Sequence, residues 1–254
     1  MVTKNFLGST AKKCVREKYS ISIVNYTERV SEEWHAHDKI HVSSIIKGGN
    51  LESRKSGDIQ VQPGHIMSYD QGEVHRNRHT AHPSANLNIE FEEAFFQNDV
   101  SFRHLRPEPE INMTCYQLYL EFLLNDTFTD QMLTSLLKSL FWKNKKVISS
   151  DWMVKLKTIL NDQWNRFPSL DELSRELNVH PVTISRYFVK NMGFTLSEYM
   201  RRIKAQKALA DIINSEDPLP VIAVRCGFSD QSHMNRLIKR YTGLRPSIIR
   251  QSAG

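Results

Sequence analysis

Histidine is unevenly placed along this chain: eight of its ten lie between His35 and His104, leaving only His180 and His233 beyond. In Trp34-His35-Ala36-His37 two imidazoles are one residue apart. On a shared strand both would point to one face, the placement a metal chelate needs. Arg186 and Arg236 suggest different chemistry. They lie fifty positions apart, and each follows an apolar residue, Ile184 and Met234, by two. A guanidinium can donate two parallel hydrogen bonds to a guanine edge, so a repeated arginine on a repeated helix is a candidate base reader. Cys14, Cys115 and Cys226 are too far apart for a zinc or redox motif and read as free thiols.

The elements that must carry these residues differ between the two halves. From Tyr19 to about Phe96, runs such as ISIVNYTERV, HVSSIIKGGN, SGDIQVQPGH and ANLNIEF alternate with turns at Lys47-Gly48-Gly49-Asn50 and Pro63-Gly64. Leu87, Ile89 and Phe91 alternate with Asn88 and Glu90, the period of a half-buried strand, and an antiparallel β-sandwich or barrel is expected. After Arg106-Pro-Glu-Pro109 the period becomes helical: Tyr116, Leu120 and Leu123, then Met132, Leu133, Leu136, Leu137 and Leu140. These two helices could form a dimer interface or pack on their own sheet. The polar stretch 143–150 reads as a linker, and residues 151–254 as an all-α domain.

Charge follows the same division. Residues 1–150 hold 18 basic and 18 acidic side chains, so the net charge of +6 resides entirely in the remainder, a distribution suited to a polyanionic partner. No apolar run is long enough to span a bilayer, and the start MVTKNFLGSTAKK lacks a signal-peptide core, so a cytoplasmic protein is expected. Phosphate-loop, nucleophile and dinucleotide motifs are not found in the sequence, which argues against an enzyme.

Within the all-α half, Ser169-Leu-Asp-Glu172 predicts a capping box, Asn178 a helix stop, and Pro181 the first turn of a second helix. The arrangement recurs at Ile222 to Cys226, Gly227, and a helix capped by Ser229 or Asp230. These residues, in SLDELSRELNVHPVTISRYFVKNMGFTLSEYMRRIKAQKAL and VIAVRCGFSDQSHMNRLIKRYTGLRPS, resemble the C-terminal domain of the AraC/XylS family of transcription regulators. The chain departs from the family pattern at Asn178, Leu196, Met234 and Ile238, each a change that keeps the local physics. The resemblance implies two helix-turn-helix units, held about one DNA turn apart by a rigid helix near Leu196–Asn214. Each second helix would enter a major groove of double-stranded DNA. Val182, Ser185 and Arg186 on the first, and Gln231, Ser232, Asn235 and Arg236 on the second, are then expected at base edges or the adjacent backbone. Lys190, Arg201, Lys239 and Arg240 are expected at phosphates.

His35 and His37, with His41 and with His75 in Gly72-Glu-Val-His-Arg-Asn77, resemble the two signature motifs of cupin barrels, as do Gly57-Asp58 and Pro63-Gly64. Regulators of this family commonly carry such a barrel as a ligand-sensing domain. In metal-binding cupins the matching ligands are the two histidines of the pair, a carboxylate and a later histidine. His41 stands in the carboxylate's place. The resemblance therefore leaves two readings of the four histidines: an organic effector pocket without a cofactor, or a three- or four-imidazole site for iron, nickel, copper or zinc. His65, His79, His82 and His104 match no motif position and are expected in exposed loops.

The expected organisation is a multidomain α and β chain. Residues 1–110 form a cupin-like antiparallel β-barrel that senses an effector, 111–142 are helical and a candidate dimerisation segment, 143–150 a linker, and 151–254 the DNA-binding domain. The function implied is an effector-responsive regulator, an activator working as a homodimer with RNA polymerase. The competing readings are a metal-binding cupin sensor or enzyme fused to a DNA-binding domain, and a DNA-binding protein answering to a protein partner.

Overall fold

A computed structural model describes residues 2–3, 6–95, 109–127, 129–142 and 150–253. The chain divides into two compact units, Met1–Phe141 and Trp142–Gly254. Expected features at His104 and through most of the 143–150 linker lie outside the described residues.

The first unit contains β1 (Val2–Thr3), β2 (Ser9–Val15), β3 (Tyr19–Tyr26), β4 (Ala36–His37), β5 (Ile40–Lys47), β6 (Asn50–Arg54), β7 (Gly57–Val61), β8 (Ile66–Tyr69), β9 (His75–Arg78) and β10 (Ser84–Phe91). Five of these form an antiparallel sheet in the order β2-β3-β10-β5-β8, and three form another, β7-β6-β9. The parallel pair β1-β4 and a bridge between His35 and His75 complete the pairing among the described residues. No hydrogen-bonded ladder closes the two sheets into one cylinder among those residues, so the expected cupin-like barrel gives way to two separate sheets. The turn between β5 and β6 needs glycine: Gly49 has φ of 132°, and a Cβ there would lie 2.2 Å from the Val61 carbonyl oxygen.

Central strand β10 is buried on both sides rather than half-buried. Leu87, Ile89 and Phe91 pair with Ile23, Ile21 and Tyr19 on an apolar face. Asn88 and Glu90 are also buried on the opposite face, where Ser43 donates to Asn88 at 2.6 Å and Ser20 donates to Glu90 at 2.9 Å. Strict alternation is therefore present, but it separates an apolar layer from a polar interior. Strand β2 goes unannounced in the sequence because Lys12 and Lys13 interrupt any apolar alternation. Its place at the sheet edge makes those charges useful, since edge lysines discourage pairing with other chains.

Helices α1 (Pro109–Leu124) and α2 (Thr129–Trp142) belong to this same unit. The Lys12 ammonium donates to the Phe122 carbonyl at 2.6 Å, capping the end of α1 where carbonyls lack helical partners. Tyr19 and Thr134 hydroxyls meet at 3.2 Å, and Arg16 pairs with Asp130. Thus both helices are tied to their own sheet. Met132 stays largely exposed while Leu133, Leu137 and Leu140 are buried.

The second unit comprises α3 (Asp151–Asp162), α4 (Leu170–Leu177), α5 (Pro181–Met192), α6 (Leu196–Asn214), α7 (Leu219–Arg225), α8 (Gln231–Thr242) and α9 (Pro246–Ala253). One core joins Met153, Leu156 and Leu160 of α3 to Leu173, Leu177, Ile184, Phe188, Tyr199, Met200 and Ile203. Further along α6, Ala208, Leu209 and Ile212 are also buried, and this helix packs against α7, α8 and α9. Among the described residues no helix is long and apolar enough to cross a membrane.

Phe188 is fully buried and meets Tyr199 edge-on at 5.4 Å. Phe188→Ala should cost about 3–5 kcal/mol, whereas Val154→Ala on the surface should change stability by no more than about 0.5 kcal/mol. Urea unfolding of the two variants followed by circular dichroism checks this, and indistinguishable midpoints would contradict the core assignment.

Candidate nucleic-acid interface and histidine site

The two helix pairs of the second unit are built alike by local means. In the first, the Ser169 hydroxyl accepts from the Glu172 amide at 3.2 Å and the Glu172 carboxylate accepts from the Ser169 amide at 2.7 Å, the reciprocal cap expected from the sequence. Asn178 ends α4 in the left-handed region, at φ 52° and ψ 44°. His180, unassigned in the sequence reading, proves to be the N-cap of α5, its Nδ1 accepting from the Val182 amide at 3.3 Å. In the second pair Gly227 makes the turn with φ 71°, and a Cβ there would meet the Asn165 carbonyl oxygen at 2.7 Å. Asp230 caps α8 through the His233 amide at 2.7 Å.

Helices α5 and α8 each span 12 residues and end at left-handed glycines, Gly193 and Gly243, with φ of 78° and 77°. Ile184 corresponds to Met234 and Phe188 to Ile238, all fully buried. Arg186 and Arg236 lie at matching exposed positions, so the fifty-residue repeat is a repeat in three dimensions within each helix. Val182, Lys190, Ser232 and Lys239 are likewise exposed. Ser185 and Gln231 are half-buried. Asn235 departs from the expected solvent-facing placement: it is half-buried, and its side-chain oxygen is enclosed with no hydrogen-bond partner.

Arg201 is not a free cation. Its guanidinium donates twice to Glu198, at 3.1 and 3.0 Å, and Arg240 lies 3.9 Å from the same carboxylate. Glu198 also accepts from Arg202 at 3.3 Å and from the Tyr241 hydroxyl at 2.8 Å. Although partial burial opposes its ionisation, the bonds from Tyr241 and Arg201 and the charge of Arg202 hold its carboxyl below the usual range. This network joins the start of α6 to the end of α8, a link that no sequence pattern announced.

In the first unit the structure brings His35, His37, His41 and His75 together, all buried. One ring nitrogen from each of His35, His37 and His75 lies within 4.8 Å of the other two. His41 falls outside that trio: its ring stacks on Tyr69 at 4.2 Å and 9°. Tyr69 in turn donates to Glu52 at 2.5 Å, Glu52 pairs with Arg54, and Arg54 reaches Glu73 at 3.0 Å. Burial raises the Glu52 carboxyl, and burial together with that carboxylate holds Tyr69 protonated well above its ordinary value. Phe6 covers His37 and His41, with ring centroids 4.9 and 5.4 Å away. Phe6, Glu52, Arg54 and Tyr69 escaped the sequence reading because they match no motif, and their meeting is set by strand pairing across long separations. His79 and His82 are exposed as expected, while His65 is half-buried.

Protonation at this site is governed mainly by burial. It lowers His37 to about 4, helped by His35, and His41 to about 2, helped by His37. His75 falls to about 3 through burial and the neighbouring His35 and His37, against the hydrogen bond to Glu73. The Nδ1 atoms of His35, His41 and His75 lie 3.1, 3.3 and 3.1 Å from the carbonyl oxygens of Glu33, Lys39 and Glu73. A carbonyl can only accept, so each Nδ1 carries the proton and Nε2 keeps the lone pair.

The repeated helix pair gives the second unit two helix-turn-helix units, and a helix-turn-helix domain model matches residues 173–252. More particularly, the C-terminal half of this chain is similar to part of bacterial helix-turn-helix transcription regulators. The chain is 30% identical over 92 residues to the transcriptional activator RhaS of Escherichia coli, covering 36% of this chain and 33% of RhaS. It is 26% identical over 100 residues to an ornithine utilization regulator of Pseudomonas aeruginosa, covering 39% and 29%. The match thus spans about a third of the length of the curated relatives. ToxT of Vibrio cholerae aligns over 93% of this chain and 99% of its own, at 12% identity and a TM-score of 0.40, a likeness too slight to assign anything.

The low histidine values set a pH dependence. An unfolded imidazole titrates near 6.5, so well above that pH neither state is protonated. As pH falls below about 6.5 the unfolded chain binds protons that the folded rings refuse, and stability declines progressively toward the folded values near 4, 3 and 2. Urea unfolding in chelator-containing buffer should therefore give a lower midpoint for the first unit at pH 5 than at pH 7.5, with a smaller difference in His41→Gln. A native chain equally stable at both values would contradict the neutral buried assignment.

Proposed function

We propose that this protein is a sequence-specific transcription regulator that binds double-stranded DNA through α5 and α8. The observation that carries this reading is the correspondence of Arg186 and Arg236, both exposed, on two helices of equal length that end at left-handed glycines and bury matching residues, Ile184 with Met234 and Phe188 with Ile238. Val182 and Ser232 are exposed beside them and complete the readout, with Lys190 and Lys239 on phosphates. Ser185 and Gln231 contribute from half-buried positions at the rim, and Asn235 contributes least, because its oxygen is enclosed. Arg201 and Arg240 act on DNA through the Glu198 network, which sets where α8 lies on α6, more than as free phosphate ligands.

The first unit is the signal-receiving part, with the buried histidines as its binding site. Activation is the sign proposed, by similarity to an activator, with RNA polymerase as the protein partner and a homodimer as the working form in the cytoplasm. Residues 1–110 would bind the effector, 111–142 would serve any dimer contact, 143–150 would link and 151–254 would bind DNA. Enzymatic turnover is not part of this reading.

Arg186→Ala and Arg236→Ala should each weaken operator binding by about 1–3 kcal/mol, and Lys239→Ala should weaken all duplexes alike. Fluorescence anisotropy with a genomically selected site and a scrambled duplex measures both. Operator affinity unchanged in the two arginine variants would overturn the groove assignment.

A further inference from the structure

We propose that Lys204 is a positioning residue for DNA reading: its ammonium holds the turn that leads into α8, so that α5 and α8 meet the duplex at one fixed spacing. This role rests on the groove reading of α5 and α8 and adds to it a residue that touches neither base nor phosphate.

The turn between α7 and α8 satisfies its own amides. Gly227 donates to the Val224 carbonyl and Phe228 to the Ala223 carbonyl, each at 2.9 Å, the paired bonds that close a helix on a left-handed glycine. The Gly227 carbonyl takes its partner from outside the helix pair: Lys204 of α6 donates to it at 3.1 Å. Lys204 is half-buried, and this loss of water lowers its pKa below the usual lysine range. The carbonyl replaces part of what the ammonium loses.

A third segment meets the same turn. A Cβ at Gly227 would lie 2.7 Å from the Asn165 carbonyl oxygen and 3.3 Å from the Lys204 ammonium. Asn165 belongs to the connection between α3 and α4, which leads into the first helix pair. Lys207, three residues further along α6, lies 6.0 Å from the ring of Trp164 in that connection. The turn of the second pair is thus packed against the approach to the first, and Lys204 stands where they meet.

The far end of α8 is also tied to α6, by the Tyr241 hydroxyl on Glu198 at 2.8 Å. Glu198 and Lys204 are six residues apart on α6, about 9 Å along its axis. One tie fixes where a helix lies, and two separated ties fix its direction as well. Direction matters on DNA, because one added base pair moves the second half-site by about 3.4 Å and turns it by about 34–36°. Two reading helices that cannot follow this motion discriminate the spacing of half-sites as well as their bases.

The test is fluorescence anisotropy of the full chain on the genomically selected duplex and on duplexes with one base pair inserted or removed between the half-sites. The half-sites are mapped by the bases that lose their effect in Arg186→Ala and in Arg236→Ala. The native chain should bind the two altered duplexes at least about 10-fold more weakly than the selected one, and Lys204→Met less than about 3-fold more weakly. Lys204→Arg, which can donate to the same carbonyl, should restore the native ratio, and Lys239→Ala should weaken all three duplexes alike. Circular dichroism checks the fold of each variant. If Lys204→Met does not fold, Lys204→Gln, uncharged and one bond shorter, replaces it. A folded neutral variant that keeps the native ratio overturns the positioning role, even if it weakens all three duplexes together. Failure of both neutral variants to fold assigns Lys204 to stability and overturns it too. A native chain indifferent to spacing, with binding still weakened in Arg186→Ala and Arg236→Ala, refutes the role of Lys204 alone, whereas unchanged binding in both arginine variants refutes the groove reading beneath it.

Discussion

Helix α6 is buried in two different places along its length, and the second unit depends on that. Its first turns, through Tyr199, Met200 and Ile203, complete the core of α3, α4 and α5, while Ala208, Leu209 and Ile212 face α7, α8 and α9. A 19-residue helix is about 28 Å long and stiff over that distance. The two helix-turn-helix units therefore cannot rotate independently without breaking one core. Glu198 adds an electrostatic tie across the same junction, taking the Tyr241 hydroxyl and the guanidiniums of Arg201 and Arg202. In a partly buried setting such shared hydrogen bonds specify an arrangement more than they stabilise it.

The first unit is organised on a different principle. Its sheet carries an apolar layer on one side and a polar interior on the other, with Asn88, Glu90 and four imidazoles buried. Burying polar groups costs free energy unless each is hydrogen-bonded; here serines, backbone carbonyls and the Glu52, Arg54 and Tyr69 network supply many of the partners, while Asn88 Nδ2 and Arg54 Nη2 are enclosed without one. The carbonyl bonds to Nδ1 fix the orientation and the tautomer of three of these rings.

Several elements were legible residue by residue. The Ser169 and Glu172 capping box, the left-handed Asn178, Pro181 at a helix start and Asp230 at a cap are local devices acting over three or four residues, and the structure keeps each one. The placement of His180 as a cap was missed because His is an uncommon choice there. Strand β2 was missed because edge strands are allowed to carry lysine, which erases the alternation that marks a strand. The sandwich-or-barrel ambiguity could not be resolved from periodicity, since closure is a matter of which distant strands pair.

By itself, the sequence determined the two helix pairs and the correspondence of Arg186 with Arg236, because helix starts, stops and buried faces are encoded at short range. It also paired His35 with His37 as candidates for one face, on the condition that they share a strand. Only the tertiary structure decided that His75 joins them and that His41 stacks on Tyr69 instead. The same holds for Arg201, which spends its charge on Glu198, and for Asn235, which turns partly inward. Each of these depends on strands or helices far apart in the chain being packed together, and no local pattern carries that information.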